Sequence, residues 1–194
     1  MTKIYMFRHG ETNWNLQKRL QGHTDIELND KGREQARELR TRLIPYDIDI
    51  LLSSDLARAQ ETAKIVFKHR DLETIITPDL REMEMGQATG LTRDELIERF
   101  GKVWDEFLSP KKEHLKMCFP GGETKQVLLD RTLLLLEKYA KDVGSMAIST
   151  HGGVLLKMIQ YSLDYSENEI IRVENCSCFV FELKEKKLSY IKKI

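Results

Sequence analysis

Three segments of the chain combine an apolar run of strand length with a short polar turn and then a helical pattern of apolar positions. The apolar runs cover residues 4–7, 48–52 and 146–149. Strands that alternate with helices in this way are typical of a largely parallel sheet with helices on both faces. The pattern therefore predicts an α/β fold, a three-layer sandwich with a mostly parallel central sheet, in which the three turns meet at the carboxyl edge.

Helix starts can be predicted from several polar clusters. Residues 92–95 and 166–169 both fit the capping box, in which a Ser or Thr and a Glu three positions later bind the first free backbone N–H groups. Asn29 or Asp30 is expected to cap an earlier helix. Arg58 falls in the first turn of the helix that we expect after the second strand.

A long helix and a β-hairpin are predicted in the last part of the chain. The helix follows Thr124, and the hairpin pairs residues 176–183 with residues 188–191 across a charged turn. We interpret the helix as a packing element and the charged turn as a solvated tip. The apolar stripe expected to face the core consists mainly of Val127, Leu128, Leu134, Leu135 and Tyr139.

Length and charge limit the domain organisation and the kinds of partner. The 194 residues fit one domain spanning 1–194, and the Gly- and Pro-containing stretch 84–122 is the expected insertion or lid. Lys plus Arg and Asp plus Glu both total 31, so the formal net charge is zero and no charged block favours a nucleic-acid or membrane partner. The amino-terminal residues do not fit a signal peptide or a spanning helix, and we expect a cytoplasmic protein.

The turns after the predicted strands carry side chains suited to phosphate chemistry. Arg8 and His9 follow the first strand, and His151 follows the third. Arg8 and Arg58 supply planar guanidinium groups that can bind two phosphate oxygens at once. His9 precedes a glycine that lets a ligand approach the backbone, and a neutral histidine whose other nitrogen is held protonated can attack phosphorus. These residues predict a phosphoryl-transfer site.

Several ordered blocks resemble the histidine phosphatase superfamily, the phosphoglycerate-mutase-like enzymes. An isolated Arg-His-Gly tripeptide occurs by chance, but here Phe-Arg-His-Gly-Glu-Thr is followed by further blocks at family-like spacing. The resemblance covers residues 4–177 and is strongest to compact phosphatases of the superfamily, such as α-ribazole phosphatase and broad-specificity phosphatases. The matching positions are residues 7–12, 15, 20–22, 25, 28, 31–32, 53–63, 80–82, 121–123 and 151–153.

The resemblance implies a role for each matching residue. His9 would become phosphorylated, with Glu82 acting first as general acid and then as general base. Such a cycle needs no metal and no cofactor. The other residues of the implied catalytic and substrate-binding site are Arg8, Asn15, Gln21, Gly22, Arg58, His151 and Gly152. For Gln21 and Gly22, the shaping of a turn is an equally weighted alternative.

Two of these assignments leave an alternative open. Glu84 lies two residues after Glu82 and could be the acid, with Glu82 pairing with Arg81 instead. Arg58 could form an ion pair with Glu61 or Glu82 rather than bind phosphate. The family pattern favours Glu82 as the acid and a phosphate-binding role for Arg58.

The expected activity is hydrolysis of a small phosphomonoester without a metal. The alternatives are a cofactor-dependent phosphoglycerate mutase and a non-catalytic protein that binds a phospho-ligand. Mutases of the superfamily carry a Tyr-Gly after the acid and further cations for the substrate carboxylate, whereas Met83 follows Glu82 here. The run 83–90 also lacks the Trp-Glu of the compact phosphatases, so the resemblance implies no particular substrate. Dimers are common among relatives, and a homodimer is retained as a hypothesis.

Overall fold

The computed structural model describes residues 1–165 and 172–194, which form a six-stranded central sheet with helices around it. The strands are β1 (Thr2–Arg8), β2 (Ile50–Ser54), β3 (Thr74–Thr77), β4 (Ser145–Thr150), β5 (Cys178–Lys184) and β6 (Lys187–Lys193). They lie in the order β3-β2-β4-β1-β5-β6. Strands β1 to β4 are parallel, and β5 and β6 join as an antiparallel hairpin. The predicted mostly parallel sheet and the closing hairpin are confirmed.

Helices cover both faces of this sheet in the described part of the chain. They are α1 (Asn13–Leu16), α2 (Asp30–Leu43), α3 (Ala57–Val66), α4 (Arg93–Phe100), α5 (Val103–Leu108), α6 (Lys125–Tyr139) and α7 (Gly152–Ser162). Short 3₁₀ turns occur at Pro78–Leu80, Gly86–Ala88 and Lys112–His114. Within the described ranges, no helix combines the length and apolar character needed to cross a membrane.

The helix starts follow the predicted capping chemistry where the structure describes them. The Thr92 hydroxyl accepts from the Glu95 N–H while the Glu95 carboxylate binds the Thr92 N–H, which confirms the capping box of α4. Asn29, rather than Asp30, caps α2 by accepting a hydrogen bond from the Gly32 N–H at 2.8 Å. The predicted capping box at 166–169 lies outside the described residues.

The alternation of side chains along β1 divides the core into two layers. Ile4 and Met6 are buried with residues of α6 and α7, whereas Tyr5 and Phe7 are buried on the opposite face with residues of α2 and α3. Full burial of one such side chain contributes about 1.5–3 kcal/mol. Because both faces bury apolar residues in this way, the three-layer α/β sandwich predicted from the sequence is confirmed.

The buried face of α6 differs from the predicted stripe. Val127 and Leu134 are 53% and 68% exposed, because they share a helix face with the exposed Asp130 and Lys138. In a run that is apolar on several sides, the charged residues decide which side faces water. The buried positions of α6 are Lys125, Leu128, Leu129, Thr132, Leu135 and Leu136.

The strand register brings the chemically interesting turns to one edge of the sheet. Arg8, at the end of β1, pairs in register with Thr150, at the end of β4. His9 and His151 therefore leave two neighbouring parallel strands side by side. Strand β2 lies on the other side of β4 and leads into α3, which carries Arg58. The carboxyl edge thus collects these groups, as expected for a parallel sheet.

The segment 84–122 packs against the face of the sheet that α6 and α7 cover. Leu96, Trp104 and Phe119 belong to the same buried core as Ile4. The ring of Phe107 lies 4.6 Å from that of Phe119 and 6.1 Å from that of Trp104, measured between centroids. The aromatic cluster holds this segment in place as a wall beside the carboxyl edge. Its interpretation as an insertion within a single domain stays a prediction.

A close backbone contact between Gly10 and Gly32 fixes α2 against the end of β1. A Cβ atom on Gly10 would overlap the carbonyl oxygen of Gly32. We therefore expect Gly10→Ala to lower the free energy of unfolding by about 1–3 kcal/mol, as overpacking does in well-packed cores. Urea unfolding measures this loss. Gly144→Ala is the control, because its Cβ would meet Asp49 Oδ2 at 3.4 Å, an ordinary contact. Equal unfolding midpoints for the two variants would contradict the prediction.

Candidate active site

His9 directly follows β1, and its ring is held by its own turn. The residue is 3% exposed, and Nδ1 lies 2.6 Å from the carbonyl oxygen of Gly10. Because a carbonyl oxygen only accepts hydrogen bonds, Nδ1 carries the proton and Nε2 keeps its lone pair. Burial, with Arg58 and Arg8 nearby, lowers the pKa of His9 well below 6.5. The ring is therefore neutral at pH 7 and can act as a nucleophile through Nε2.

Arg58 is a fully buried cation at the first turn of α3. Its Nη2 donates to the Gly22 carbonyl at 2.9 Å, and its Nη1 donates to the Thr24 carbonyl at 2.8 Å. The third nitrogen, Nε, donates to Nδ1 of His151 at 3.3 Å. Burial lowers the pKa of Arg58 to about 10, which still leaves the guanidinium charged at neutral pH. The site therefore holds a permanent, rigidly anchored positive charge.

Arg8 supplies a second cation with an unused donor. Its Nη1 donates to the Val173 carbonyl at 2.9 Å, while its buried Nε has no hydrogen-bond partner among the described residues. A buried donor without a partner costs about 1–3 kcal/mol. Burial also lowers the pKa of Arg8. Gly152 packs against this guanidinium, since a Cβ there would lie 3.4 Å from Arg8 Nε. An anion bound at this edge would satisfy the Nε–H group.

His151 faces His9 across the carboxyl edge, with 5.2 Å between the ring centroids. Its Nδ1 accepts from Arg58, so Nε2 carries the proton and donates to the Ser54 hydroxyl at 2.9 Å. Burial and the positive charge of Arg58 lower the pKa of His151 well below 6.5. A phosphate dianion between the rings would act in the opposite direction, because nearby negative charge favours the protonated imidazole. Both ring nitrogens of His151 are engaged by Arg58 and Ser54, and the ring forms one side of the pocket that faces His9.

The carboxylate and the backbone of Glu82 are both fixed beside the start of α7. Oε2 accepts from the Gly153 N–H at 2.9 Å, and Oε1 accepts from the Met83 N–H at 2.8 Å. The carbonyl of Glu82 accepts from His23 Nε2 at 2.9 Å and from Arg131 Nη2 at 3.2 Å. A Cβ on Gly153 would overlap Oε1 of Glu82, so glycine at this position makes room for the carboxylate.

The alternative ion pairs considered for Arg58 and Glu82 are replaced by pairs with other residues. Glu84, Arg81 and Glu61 each form an ion pair with another residue at less than 3 Å. The three pairs are Glu84 with His23 at 2.9 Å, Arg81 with Asp55 at 2.6 Å and Glu61 with Arg33 at 2.7 Å. Among the described residues, neither Glu82 nor Arg58 takes part in an ion pair.

Asn15 and Gln21 lie near the site but differ in how they are used. The Asn15 side-chain oxygen accepts from Asn175 Nδ2 at 3.2 Å, and the same nitrogen donates to the His9 carbonyl at 3.1 Å. Gln21 is buried, and its Oε1 has no hydrogen-bond partner in the described part of the chain. Gly22 has φ +50°, a left-handed conformation that glycine adopts without strain. This turn aims its carbonyl at the guanidinium of α3.

The sequence motifs included Asp25 and Glu123 but gave no role to the groups that hold the site residues in place. Asp25 accepts from the Ala57 N–H at 2.8 Å and so binds the first turn of α3. Arg131 donates to both carboxylate oxygens of Glu123 and to the Arg81 carbonyl at 2.8 Å. The Gly-Gly-Glu block was the available signal for Glu123. Contacts to backbone carbonyls leave no comparable trace in a sequence.

A cavity of about 330 Å³ opens beside these groups. Arg8 and Glu82 line one part of it, together with the two glycines at the start of α7. Trp104, Phe107 and Lys157 line another part. The cavity is larger than a phosphate group requires and can hold the alcohol portion of an ester. Among the described residues, no group of three or more His, Cys, Asp and Glu side chains is placed to bind a metal ion.

Acid is expected to destabilise the protein through His9 and His151. Both pKa values are lowered in the folded state, whereas histidine in an unfolded chain takes up a proton near pH 6.5. The unfolded state therefore binds more protons below pH 6.5, and each histidine removes up to ~1.4 kcal/mol of unfolding free energy per pH unit. Urea unfolding at several pH values tests this. We expect the unfolding free energy of His151→Gln to fall less steeply with decreasing pH than that of wild type. The exposed control His69→Gln is expected to keep the wild-type pH dependence. The same pH dependence in His151→Gln and wild type would contradict this prediction.

The comparison with known protein families identifies the class of protein to which this fold and this site belong. The chain belongs to the histidine phosphatase superfamily (branch 1), whose family profile matches residues 4–192. The resemblance inferred from the sequence motifs is therefore confirmed, and the match spans nearly the whole chain.

Relatives within the family carry both phosphatase and mutase names. The chain is 36% identical over 186 residues to phosphoglycerate mutase-like protein 4 of Arabidopsis thaliana, covering 93% of this chain and 79% of that protein. It is 36% identical over 160 residues to a metal-independent phosphoserine phosphatase of the same plant, covering 80% and 66%. The crystal structure of the α-ribazole phosphatase from Shigella flexneri superposes with a TM-score of 0.78 at 25% identity, covering 98% of this chain and 95% of that one.

Proposed function

We propose that this protein is a phosphatase that hydrolyses a small phosphomonoester through a phosphohistidine intermediate on His9. The observation that carries the proposal is the 2.6 Å contact from His9 Nδ1 to the Gly10 carbonyl, which leaves Nε2 unprotonated. Arg8 and Arg58 lie near the His9 ring, and His151 faces it at 5.2 Å between centroids. One neutral nucleophile beside two cations suits a phosphate ester, whose transition state spreads negative charge over three oxygens.

In the first half of the cycle, Nε2 of His9 attacks phosphorus and the bond to the ester oxygen breaks. Protonated Glu82 gives its proton to the departing oxygen, so the alcohol leaves as a neutral molecule. The phosphorylated ring keeps its Nδ1–H, and the Gly10 carbonyl stabilises the positive charge that the ring gains. Arg8 and Arg58 bind the phosphoryl oxygens throughout.

In the second half, a water molecule attacks the phosphoryl group. The Glu82 carboxylate takes a proton from this water as the bond between phosphorus and Nε2 breaks. Phosphate leaves, His9 returns to its neutral form, and Glu82 is protonated again. The protons therefore balance over one turnover, and Glu82 serves both steps from the position that the N–H groups of Gly153 and Met83 define.

A phosphoglycerate mutase is the second candidate, because several relatives carry mutase or mutase-like names. A mutase would use the same phosphohistidine but return the phosphoryl group to a second hydroxyl. Here Met83 follows Glu82, where mutases of the superfamily carry Tyr-Gly, and the further cations of their insertion have no counterpart in the sequence. This difference favours water as the acceptor.

The proposal is tested by phosphate release from a panel of esters in the presence of EDTA. The panel contains p-nitrophenyl phosphate, phosphoserine, α-ribazole phosphate, sugar phosphates and 3-phosphoglycerate, and mutase activity is assayed on the same sample. We expect release of inorganic phosphate that EDTA does not abolish. Interconversion of 2- and 3-phosphoglycerate without release would establish the mutase instead. Folded protein that does neither would be a phospho-ligand-binding protein.

A further inference from the structure

Lys157 is a buried cation that the proposed cycle does not use. It lies on α7, is 5% exposed, and its Nζ donates to the side-chain oxygen of Gln160 at 2.6 Å. Among the described residues no carboxylate forms an ion pair with it. Burial lowers the pKa of Lys157 to about 7, Lys125 lowers it further, and the Glu82 carboxylate acts in the opposite direction. Keeping an ammonium group in such surroundings is costly unless it has a functional partner.

The position of Lys157 relative to the phosphate site follows from helix geometry. Gly153, which binds the carboxylate of Glu82, and Lys157 are four residues apart on α7. Residues four apart lie on one face of a helix, separated by about one turn, or ~5.4 Å along the axis. Both residues line the cavity of about 330 Å³ that also contains Arg8. Lys157 therefore faces the same cavity as Arg8 and Glu82.

A second buried lysine makes this end of the cavity more positive. Lys125 is 1% exposed, and its Nζ donates to the carbonyls of Glu106 and Ser109 at 3.1 and 3.2 Å. It also lies 5.4 Å from the ring centroid of Phe107. Burial lowers the pKa of Lys125 to about 8. The carbonyl groups satisfy Lys125, so Lys157 is the lysine placed to accept an additional negative partner.

The remaining walls of the cavity are apolar or aromatic. Trp104, Phe107, Leu108 and Leu156 contribute to its lining. Such walls give little to a sugar or another polyol, whose hydroxyl groups would lose hydrogen bonds to water. An alcohol portion that is compact or aromatic and carries one anionic group fits both these walls and the ammonium group of Lys157.

We propose that Lys157 determines substrate specificity by binding a carboxylate on the alcohol portion of the phosphomonoester. The substrates are then phosphorylated hydroxy acids with a short or aromatic frame. The phosphoryl group binds at Arg8 and Arg58, and the carboxylate binds at Lys157 one helical turn along α7. This inference rests on the proposed phosphatase activity and assigns the substrate class of the same site.

The test compares two nearly isosteric esters, 4-carboxyphenyl phosphate and 4-methylphenyl phosphate. The quantity measured is the ratio of their kcat/KM values, in wild type, Lys157→Met and Lys157→Gln. We expect both substitutions to lower the ratio of carboxyl to methyl ester by about 10-fold or more, because the carboxylate loses its buried cationic partner. The ratio cancels any general effect of a substitution on turnover, and comparing the ratio between variants cancels the different reactivities of the two phenols.

Controls separate the inference from the proposed function. Lys64→Met, at an exposed lysine of α3 outside the cavity, is expected to keep the wild-type ratio. Circular dichroism checks that each variant is folded, and two different substitutions at Lys157 guard against a defect specific to one side chain. Wild type that hydrolyses both esters, with a ratio unchanged in both Lys157 variants, would overturn this inference and leave the phosphatase intact. Wild type that hydrolyses neither would overturn both.

Discussion

His9→Ala is expected to reduce phosphate release from every ester by on the order of 10⁴-fold or more, because the reaction loses its nucleophile. The cations Arg8 and Arg58 remain in this variant, so we expect phosphate and unreacted ester still to bind. Steady-state phosphate release measures the first effect, and equilibrium binding of inorganic phosphate measures the second. A loss of activity with retained binding separates the missing nucleophile from a damaged pocket.

The matched control for His9→Ala is His69→Ala, because His69 is exposed and follows α3 on the surface. This variant is expected to retain wild-type turnover. Turnover by His9→Ala within about 10-fold of wild type would contradict a nucleophilic role, since loss of a covalent nucleophile removes far more than that.

Glu82→Gln is expected to lower kcat/KM for alkyl phosphates by about 10²–10⁴-fold, the contribution typical of a general acid. Glutamine keeps the shape of the side chain, and its oxygen can still accept from Gly153 or Met83, but it cannot give or take the proton. For p-nitrophenyl phosphate, whose leaving group departs without protonation, the first step is expected to be much less affected. A burst of p-nitrophenol followed by slow turnover is the predicted signature.

Glu84→Gln is the matched control, because Glu84 lies two residues away and pairs with His23 at 2.9 Å. We expect this variant to retain the wild-type difference between alkyl and nitrophenyl esters. An alkyl-specific loss in Glu84→Gln rather than in Glu82→Gln would reverse the assignment of the acid.

The sheet could be predicted because its apolar runs are short, separate and followed by recognisable turns. Strand β1 is an example, since residues 4–7 are apolar and buried on both faces. The outward face of α6 could not be predicted in the same way. Val127 and Leu134 are apolar, yet they face water together with Asp130 and Lys138. When too many residues of a helix are apolar, hydrophobicity alone does not determine its orientation.

Candidate site residues were easier to predict than the contacts that hold them. The glycines beside His9 and His151 mark places where a side chain would obstruct the backbone or a neighbour, and this requirement is visible in a sequence. The anchoring of Arg58 by the carbonyls of Gly22 and Thr24 cannot be read from a sequence, because every residue supplies a carbonyl. The buried lysine of the cavity, Lys157, was missed for a related reason, since burial of a charged residue depends on the whole fold.

The most direct test of the account is to trap the phosphorylated protein. Glu82→Gln is mixed with p-nitrophenyl phosphate, quenched in alkali within the burst, digested with trypsin and analysed by mass spectrometry. Trypsin cleaves after Lys3, Arg8 and Lys18, and residues 4–18 contain a single histidine, His9. We predict one added phosphoryl group on a peptide from this stretch, and none when His9→Ala is combined with the same variant. Turnover with an unmodified His9 peptide, or with the phosphoryl group on the peptide that contains His151, would contradict the proposed mechanism.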